Sequence, residues 1–287
     1  MNHDFDSGLD HLNNEAYQEA VEAFTRHLAT HPNDDEAYEQ RALAYYFLKA
    51  DDLAKADLDA AIALNPYNEN ALCNRGVRYL SEEDYEMAIE DFGAVYELNP
   101  DNVFALKHLI TAFIAIKDYK TAFQFCSKLY QMYPEDEWTL LHLVEIYAGA
   151  KRYPEAIKFM QKLLLRMPKD PGLLNNLGYF QMKVGAYQES EACYQAALEA
   201  DPEAVYPIDN MAFLKYQQGE YAEAMEWIDA SLQKETENAI AYKNRALVQQ
   251  ALGDLDAAKI DIQKALELGY EGEINEALQG LVEDKEA

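Results

Sequence analysis

Apolar and small residues recur along this chain with a period of 34 positions. Within each period, places 4, 7, 8 and 11 tend to be apolar, and the spacing i, i+3, i+4, i+7 is typical of one face of an amphipathic helix. A second helix-sized apolar pattern follows and ends at a proline, which cannot continue a helix. The pattern therefore predicts a helix–turn–helix in each period. The prolines that set this frame are Pro32, Pro66, Pro100, Pro134, Pro168 and Pro202.

The frame divides the chain into eight contiguous units with no insertion. Their bounds are 1–34, 35–68, 69–102, 103–136, 137–170, 171–204, 205–238 and 239–272. Because a single unit cannot bury its apolar face alone, neighbouring units are expected to stack around a continuous core. Residues 273–287 follow the last unit. Ile274, Ala277, Leu278 and Leu281 form one apolar stripe there, which predicts a capping helix with a frayed end.

Four places of the unit carry residues of a restricted kind. Place 20 is small in all eight units and place 8 is small in six, as a close helix crossing requires. Place 17 is aromatic or leucine in seven units, and place 32 is proline in six. The stretch from Leu177 and Gly178 through Gly185 and Tyr187 to Pro202 shows this order.

The joint pattern resembles the tetratricopeptide repeat family over essentially the whole chain. The resemblance implies an all-α, right-handed superhelical solenoid whose first helices line a concave groove. It implies protein binding and no reaction. The family's carboxylate clamp is not matched, because neither the residues that follow Lys107 nor those that follow Lys243 have the required types.

The residue types at places 7 and 23 change together from unit to unit. Place 7 is arginine in three units only, and place 23 is aspartate in the same three. The pairs are Arg41 with Asp57, Arg75 with Asp91, and Arg245 with Asp261. Both places are uncharged in the other five units, which predicts that they touch across the two helices as partly buried structural ion pairs.

Place 6 belongs to the face that lines the groove in the family. It is asparagine in four units, and this resembles the asparagine ladder by which some members hold a peptide backbone, since an amide can donate and accept at once. The alternative is that asparagine is only a common solvated choice. The predicted groove residues are Asn74, His108, His142, Asn176, Asn210 and Asn244, with the aromatic residues Phe104, Trp138, Tyr179, Phe213 and Tyr216.

Charge restricts the class of partner. The chain has 52 acidic and 24 basic residues and a net charge of −28, which favours basic partners and opposes nucleic acid, because phosphates would be repelled. Residues 103–170 are the exception, with 10 basic and 7 acidic residues. We interpret them as a separate contact region, a solvated face or a self-association surface.

Other classes of function find little support. The apolar run from Leu109 to Ile116 is too short to cross a membrane, and no signal peptide is visible. Three widely spaced cysteines suit reduced thiols in a cytoplasm. We expect no cofactor and no metal, since His27 with His31 and His108 with His142 are better explained structurally. No phosphate loop, HExxH, CxxC or GxSxG motif occurs, so we predict no catalytic residue and no enzyme.

The sequence therefore predicts a non-catalytic scaffold or adaptor that binds an extended peptide or protein segment. A self-assembling structural subunit and a chaperone-like holder of unfolded chains are the alternatives. A monomer is expected, with a homodimer left open.

Overall fold

A computed structural model describes residues 3–272, 274 and 278–279. Within these residues every regular element is a helix and no strand occurs, which confirms the all-α prediction. The helices are α1 His3–Asn13, α2 Tyr17–Thr30, α3 Asp35–Phe47, α4 Asp51–Leu64, α5 Glu69–Ser81, α6 Tyr85–Leu98, α7 Val103–Ala115, α8 Tyr119–Met132, α9 Glu137–Gly149, α10 Tyr153–Leu164, α11 Pro171–Lys183, α12 Tyr187–Ala200, α13 Tyr206–Gln218, α14 Tyr221–Lys234, α15 Ala239–Leu252 and α16 Leu255–Glu267.

The chain forms two compact parts, an N-terminal part (Met1–His142) and a C-terminal part (Leu143–Ala287). Each predicted 34-residue span contains two of the helices. The predicted capping helix at 273–287 lies outside the described residues, apart from three positions. Of these, Ile274 is half-buried and Leu278 is buried, and both pack on a cluster that includes Leu247 and Ile262 of the last unit.

Two places of the unit determine where its first helix begins and how it turns into the second. Place 34 supplies the N-cap of the next unit: Asn68 Oδ1 accepts from the backbone N–H of Ala71 at 2.9 Å, and Asp170 Oδ1 accepts from Leu173 at 2.8 Å. Such caps satisfy backbone donors that a helix end leaves unpaired. The residue at place 15 has a positive φ in every unit, and this residue is glycine only in the last three units. The backbone at this place therefore fixes the turn, whichever residue fills it.

Each unit keeps its two helices close by matching residue size across them. Place 20 is buried in all eight units. Where place 8 is glycine, place 24 is a large aromatic residue: Gly8 faces Phe24, Gly76 faces Phe92 and Gly178 faces Tyr194. Where place 8 is alanine, place 24 is leucine or isoleucine. The ring of Phe92 thus occupies the space that a side chain at residue 76 would need.

Adding that side chain is expected to destabilise the N-terminal part. A Cβ at residue 76 would lie 2.8 Å from Phe92 Cζ, and overpacking of this kind costs about 1–3 kcal/mol. We expect Gly76→Ala to lose this amount in urea unfolding. Gly76→Ala combined with Phe92→Leu copies Ala42 and Leu58 of the preceding unit and should recover part of the loss. An equal or larger loss in the double variant would contradict the size match.

Candidate functional site

The three arginine–aspartate pairs lie inside their units, where each joins the first helix to the second. Arg75 donates from Nε and Nη2 to the two carboxylate oxygens of Asp91, at 2.9 and 2.7 Å. Arg41 reaches Asp57 in the same way, at 2.7 Å for both bonds. Arg245 reaches Asp261 at 2.6 and 2.7 Å. All three aspartates are buried. Each guanidinium group is therefore bound inside its unit, where it links the first helix to the second.

The asparagines at place 6 differ in what their amides contact. Asn74 donates to Glu39 Oε1 at 3.0 Å, and Asn210 donates to Asn175 Oδ1 at 2.8 Å. Both acceptors occupy place 5 of the preceding unit. These amides therefore connect neighbouring units, which is a structural use of the place that the sequence analysis did not foresee.

Asn244 is not available to a ligand. Its side chain is 1% exposed, its Nδ2 donates to the backbone oxygen of Asp209 at 2.9 Å, and its Oδ1 accepts from Lys243 Nζ at 2.8 Å. The predicted groove role of Asn244 is corrected by this geometry. Asn176, at the same place two units earlier, is exposed.

The predicted aromatic and histidine residues of the N-terminal part lie in two small groups. Phe104 is 47% exposed, and its ring and that of His108 form a T-shaped pair with centroids 4.3 Å apart. His108 also stacks on the buried Phe92 at 4.9 Å, and burial lowers the pKa of its imidazole. His108 is thus partly built into the core.

Trp138 and His142 form the second group. Their rings stack with centroids 3.6 Å apart, and His142 Nδ1 lies 2.8 Å from the backbone oxygen of Trp138. Lys107 Nζ sits 4.7 Å from the Trp138 ring centroid. Both rings are half-buried. No cluster of three or more metal-ligating side chains occurs in the described part of the chain.

The predicted aromatic residues of the C-terminal part are half-buried and pack on buried residues of their own and of neighbouring helices. The Tyr179 and Phe180 rings are 6.0 Å apart, and the Phe213 and Tyr216 rings are 5.9 Å apart. Burial raises the pKa of the Tyr216 phenol. These side chains therefore contribute to packing, and each presents only part of its ring to solvent.

A pocket of about 440 Å³ opens among α3, α4, α5 and α7 of the N-terminal part. We call it the α3–α5 pocket. Its floor and walls are mostly apolar, and the half-exposed Tyr46, Val77 and Phe104 lie at its surface. The residues that line it are Ala42, Leu43, Tyr46, Asp51, Ala54, Leu58, Asn74, Val77, Arg78, Ser81, Glu82 and Phe104.

Carboxylates stand at the edge of the α3–α5 pocket. Asp51 and Glu82 are exposed, and Arg78 bridges them by donating to the Asp51 backbone oxygen and, at 2.8 Å, to Glu82 Oε1. Of the lining residues, the sequence analysis identified only Asn74 and Phe104. The missed signal is that Leu43 and Val77 share place 9 and Tyr46 takes place 12. These places follow the groove place 6 by three and six residues, so they lie on or beside the same face of the first helix.

A buried acid adjoins this pocket. Glu39 is 3% exposed, its Oε1 accepts from Asn74 and its Oε2 accepts from Gln40 at 2.8 Å. Burial raises the pKa of Glu39 to about 7, and its two hydrogen bonds only partly oppose this rise. The carboxyl thus changes charge near neutral pH.

The three cysteines are separate free thiols. Burial raises the pKa of Cys73 to about 11 and that of Cys126 to about 12, and it also raises the pKa of Cys193. Since the thiolate is the reactive form of cysteine, these thiols are poor nucleophiles.

Sequence models described as tetratricopeptide repeats match residues 5–69 and 73–137, residues 113–177 and 148–207, and residues 239–268. The matches overlap the helix pairs described above. The chain belongs to the tetratricopeptide repeat family. No curated protein matches it.

Several solved structures share the fold. A tetratricopeptide repeat protein from Parabacteroides merdae ATCC 43184 is 18% identical with a TM-score of 0.54, over 98% of this chain and 96% of that one. Naa15/Naa10 bound to HypK-THB is 15% identical with a TM-score of 0.59, over 97% and 45%. The APC/C hetero-tetramer Cut9-Hcn1 is 15% identical with a TM-score of 0.57, over 93% and 52%. The chain thus spans about half the length of the last two.

At these identities the likeness concerns the fold alone: an all-α tetratricopeptide repeat solenoid. Proteins of this family generally serve as scaffolds for protein interactions. No helix in the described residues is long and apolar enough to span a membrane.

Proposed function

We propose that this tetratricopeptide repeat protein is a non-catalytic adaptor that binds an extended protein segment, and that the α3–α5 pocket receives an apolar side chain of a basic segment. The observation that carries the proposal is the pocket itself. Its volume of about 440 Å³ falls within the ~300–1,000 Å³ that ligand pockets usually have.

The apolar surface of the pocket supports a side-chain ligand. Tyr46 is 61% exposed and Val77 is 37% exposed, and Leu43 adjoins them. A partner that covers several exposed apolar residues around one concavity buries more apolar surface than a partner that covers isolated residues. Such a site therefore contributes more binding free energy. Leucine or phenylalanine is the kind of side chain that such walls accept.

The charge around the pocket supports a basic segment. The two units that build most of it, residues 35–102, contain 16 acidic and 5 basic residues. Two of the basic residues, Arg41 and Arg75, are already bound to buried aspartates. The surplus of negative charge would attract lysine and arginine on either side of the apolar anchor, and this attraction would weaken as salt screens it.

In the C-terminal part, the exposed Asn176 and the half-buried Asn210 remain candidates for backbone contacts with a bound segment. Nothing about their surroundings favours one ligand sequence. A self-assembling subunit is the second candidate function, and the uneven charge of residues 103–170 favours it.

The proposal is tested by fluorescence anisotropy with labelled nine-residue peptides that carry one leucine or phenylalanine between lysine and arginine residues. We expect binding that weakens as sodium chloride rises. We expect Val77→Gln to weaken it about tenfold, because a polar amide would replace an apolar contact in the pocket without changing the charge.

Tyr67→Gln is the matched control. Tyr67 is 72% exposed and does not line the pocket, so this variant also loses an exposed apolar side chain and should bind like the wild type. Equal affinity of the Val77 variant and the wild type would contradict the pocket assignment. Absence of peptide binding together with a mass that rises with concentration in light scattering would favour self-assembly.

A further inference from the structure

A primary amine lies in an apolar pocket of the C-terminal part. The pocket has a volume of about 170 Å³, and Lys243 of α15 contributes the amine. The other lining residues are Phe213, Tyr216, Gln217, Leu247, Ile274 and Leu278. Four of these six carry apolar side chains, and the pocket is separate from the α3–α5 pocket of the N-terminal part.

Among the described residues, the half-buried Lys243 has no carboxylate partner of the kind that holds Lys215. Its Nζ donates to the neutral amide of Asn244 at 2.8 Å and lies 4.6 Å from the Phe213 ring centroid and 5.7 Å from that of Tyr270. In the described part of the chain, no carboxylate oxygen lies within 4.0 Å of it. The nearby carboxylate of Asp209 is already bound by Ser231 at 2.7 Å and by Asn238 at 2.8 Å.

Lys215 of α13 shows what pairing does to a buried amine. It is 7% exposed, and its Nζ lies within 3.3 Å of carboxylate oxygens of Glu191, Glu220 and Glu223. These carboxylates raise its pKa although burial opposes them. Lys215 is therefore held as an ammonium ion.

Burial has the opposite outcome at Lys243, where it lowers the pKa to about 8. The charge of Asp209 on α13 opposes the change and that of Lys183 on α11 adds to it. At pH 8 about half of the Lys243 amine is therefore neutral, whereas an ordinary lysine with a pKa near 10.4 is neutral in roughly one molecule in 250.

We propose that Lys243 is a modification site that accepts a short aliphatic acyl group from an acyl thioester. The lone pair of the neutral amine attacks the thioester carbonyl carbon, the C–N bond forms and the C–S bond breaks. The proton lost from nitrogen passes to the departing thiolate, so the products are an amide and a thiol. No oxidant or reductant is needed.

The pocket suits the product of this transfer as well as the attack. Leu247, Ile274 and Leu278 offer apolar contacts to a chain of a few carbon atoms. The amide carries no charge, so acylation removes the cost of keeping an ammonium ion in this place. The inference concerns the C-terminal part alone and does not rest on the proposed binding of a peptide.

The test is to incubate the full chain with S-butyryl-N-acetylcysteamine at pH 8 and to follow the acylation of each lysine by peptide mass spectrometry. Lys243 has roughly 100 times more neutral amine than an exposed lysine, while nucleophiles of lower pKa are intrinsically slower. We therefore expect Lys243 to react about tenfold faster than the exposed Lys158 and Lys169, and Lys215 to be the slowest.

Repeating the reaction in 8 M urea separates local structure from peptide sequence. The advantage of Lys243 should vanish there, because unfolding exposes every lysine to water. Lys243→Arg should remove the fast reaction and leave the rates at Lys158 and Lys169 unchanged. A native rate at Lys243 no higher than at the exposed lysines would overturn the proposal, and so would an advantage that persists in urea.

Discussion

Replacing Arg75 with leucine is expected to lower the free energy of unfolding by about 3–5 kcal/mol, the cost of leaving one member of a buried ion pair alone. Asp91 is 3% exposed, and both of its carboxylate oxygens are bound by the Arg75 guanidinium. Without Arg75 the carboxylate must remain buried and uncompensated or take up a proton. Either course destabilises the folded chain at neutral pH.

The double variant Arg75→Leu with Asp91→Phe is expected to lose much less. It copies the uncharged pair Leu109 and Phe125, which occupies the same two places one unit later. Urea unfolding of the wild type, the single variant and the double variant measures the difference. Equal losses in the two variants would show that the aspartate is not the source of the cost.

Asp91→Asn tests which member of the ion pair is more costly to lose. Arg75 also contacts Asp59 at 2.8 Å, and Asp59 is half-exposed. The arginine therefore keeps a partner near water when Asp91 loses its charge. Asp91 has no other side-chain partner among the described residues when Arg75 is lost. We expect Asp91→Asn to cost less than Arg75→Leu.

The ion pairs could be predicted because the repeats act as independent versions of one structure. A contact between two places leaves a joint change of residue type when the chain is compared with itself, and arginine at place 7 appears only with aspartate at place 23. The size match of Gly76 with Phe92 left the same kind of trace at places 8 and 24. The size match therefore also follows from a comparison of the units with one another.

Groove residues were harder to predict because one place can have different surroundings in different units. Asn176 and Asn244 share place 6, yet the first is exposed and the second is 1% exposed. Burial of Asn244 depends on the residues next to it, including Lys243 and the backbone of Asp209. The period gives the face of a helix, but the depth of a side chain on that face follows from the packing of neighbouring helices.

The α3–α5 pocket could not be predicted from the period for the same reason. Leu43 and Val77 occupy a groove place, but the space between them depends on how α3, α4 and α5 pack. Glu39 is a related case. Nothing in the sequence distinguishes it from the acidic residues around it, and its properties come from burial beside Asn74.

Replacing Glu39 with glutamine is expected to remove a pH dependence of stability. The pKa of Glu39 is raised from 4.5 to about 7 in the folded chain, so the folded state binds the proton more tightly than the unfolded state does. The resulting stability is present below pH 4.5 and is lost as the pH rises towards and through 7. At 1.36 kcal/mol per pKa unit, the wild type should lose about 2 to 3 kcal/mol relative to Glu39→Gln between pH 5 and pH 8.

Urea unfolding of both proteins at several pH values in this range measures the difference. Glu36→Gln is the matched control, because Glu36 lies three residues earlier on the same helix and is exposed. It removes one negative charge from the same surface and leaves the buried carboxyl in place. Because the Glu36 charge adds to the rise in the Glu39 pKa, this variant should keep the pH dependence in a slightly reduced form. A pH-independent difference between the wild type and Glu39→Gln would mean that Glu39 stays charged in the folded chain, held by Asn74 and Gln40. In that case the hydrogen bonds from the two amides would cancel the whole rise in the Glu39 pKa that burial causes, and not only a part of it.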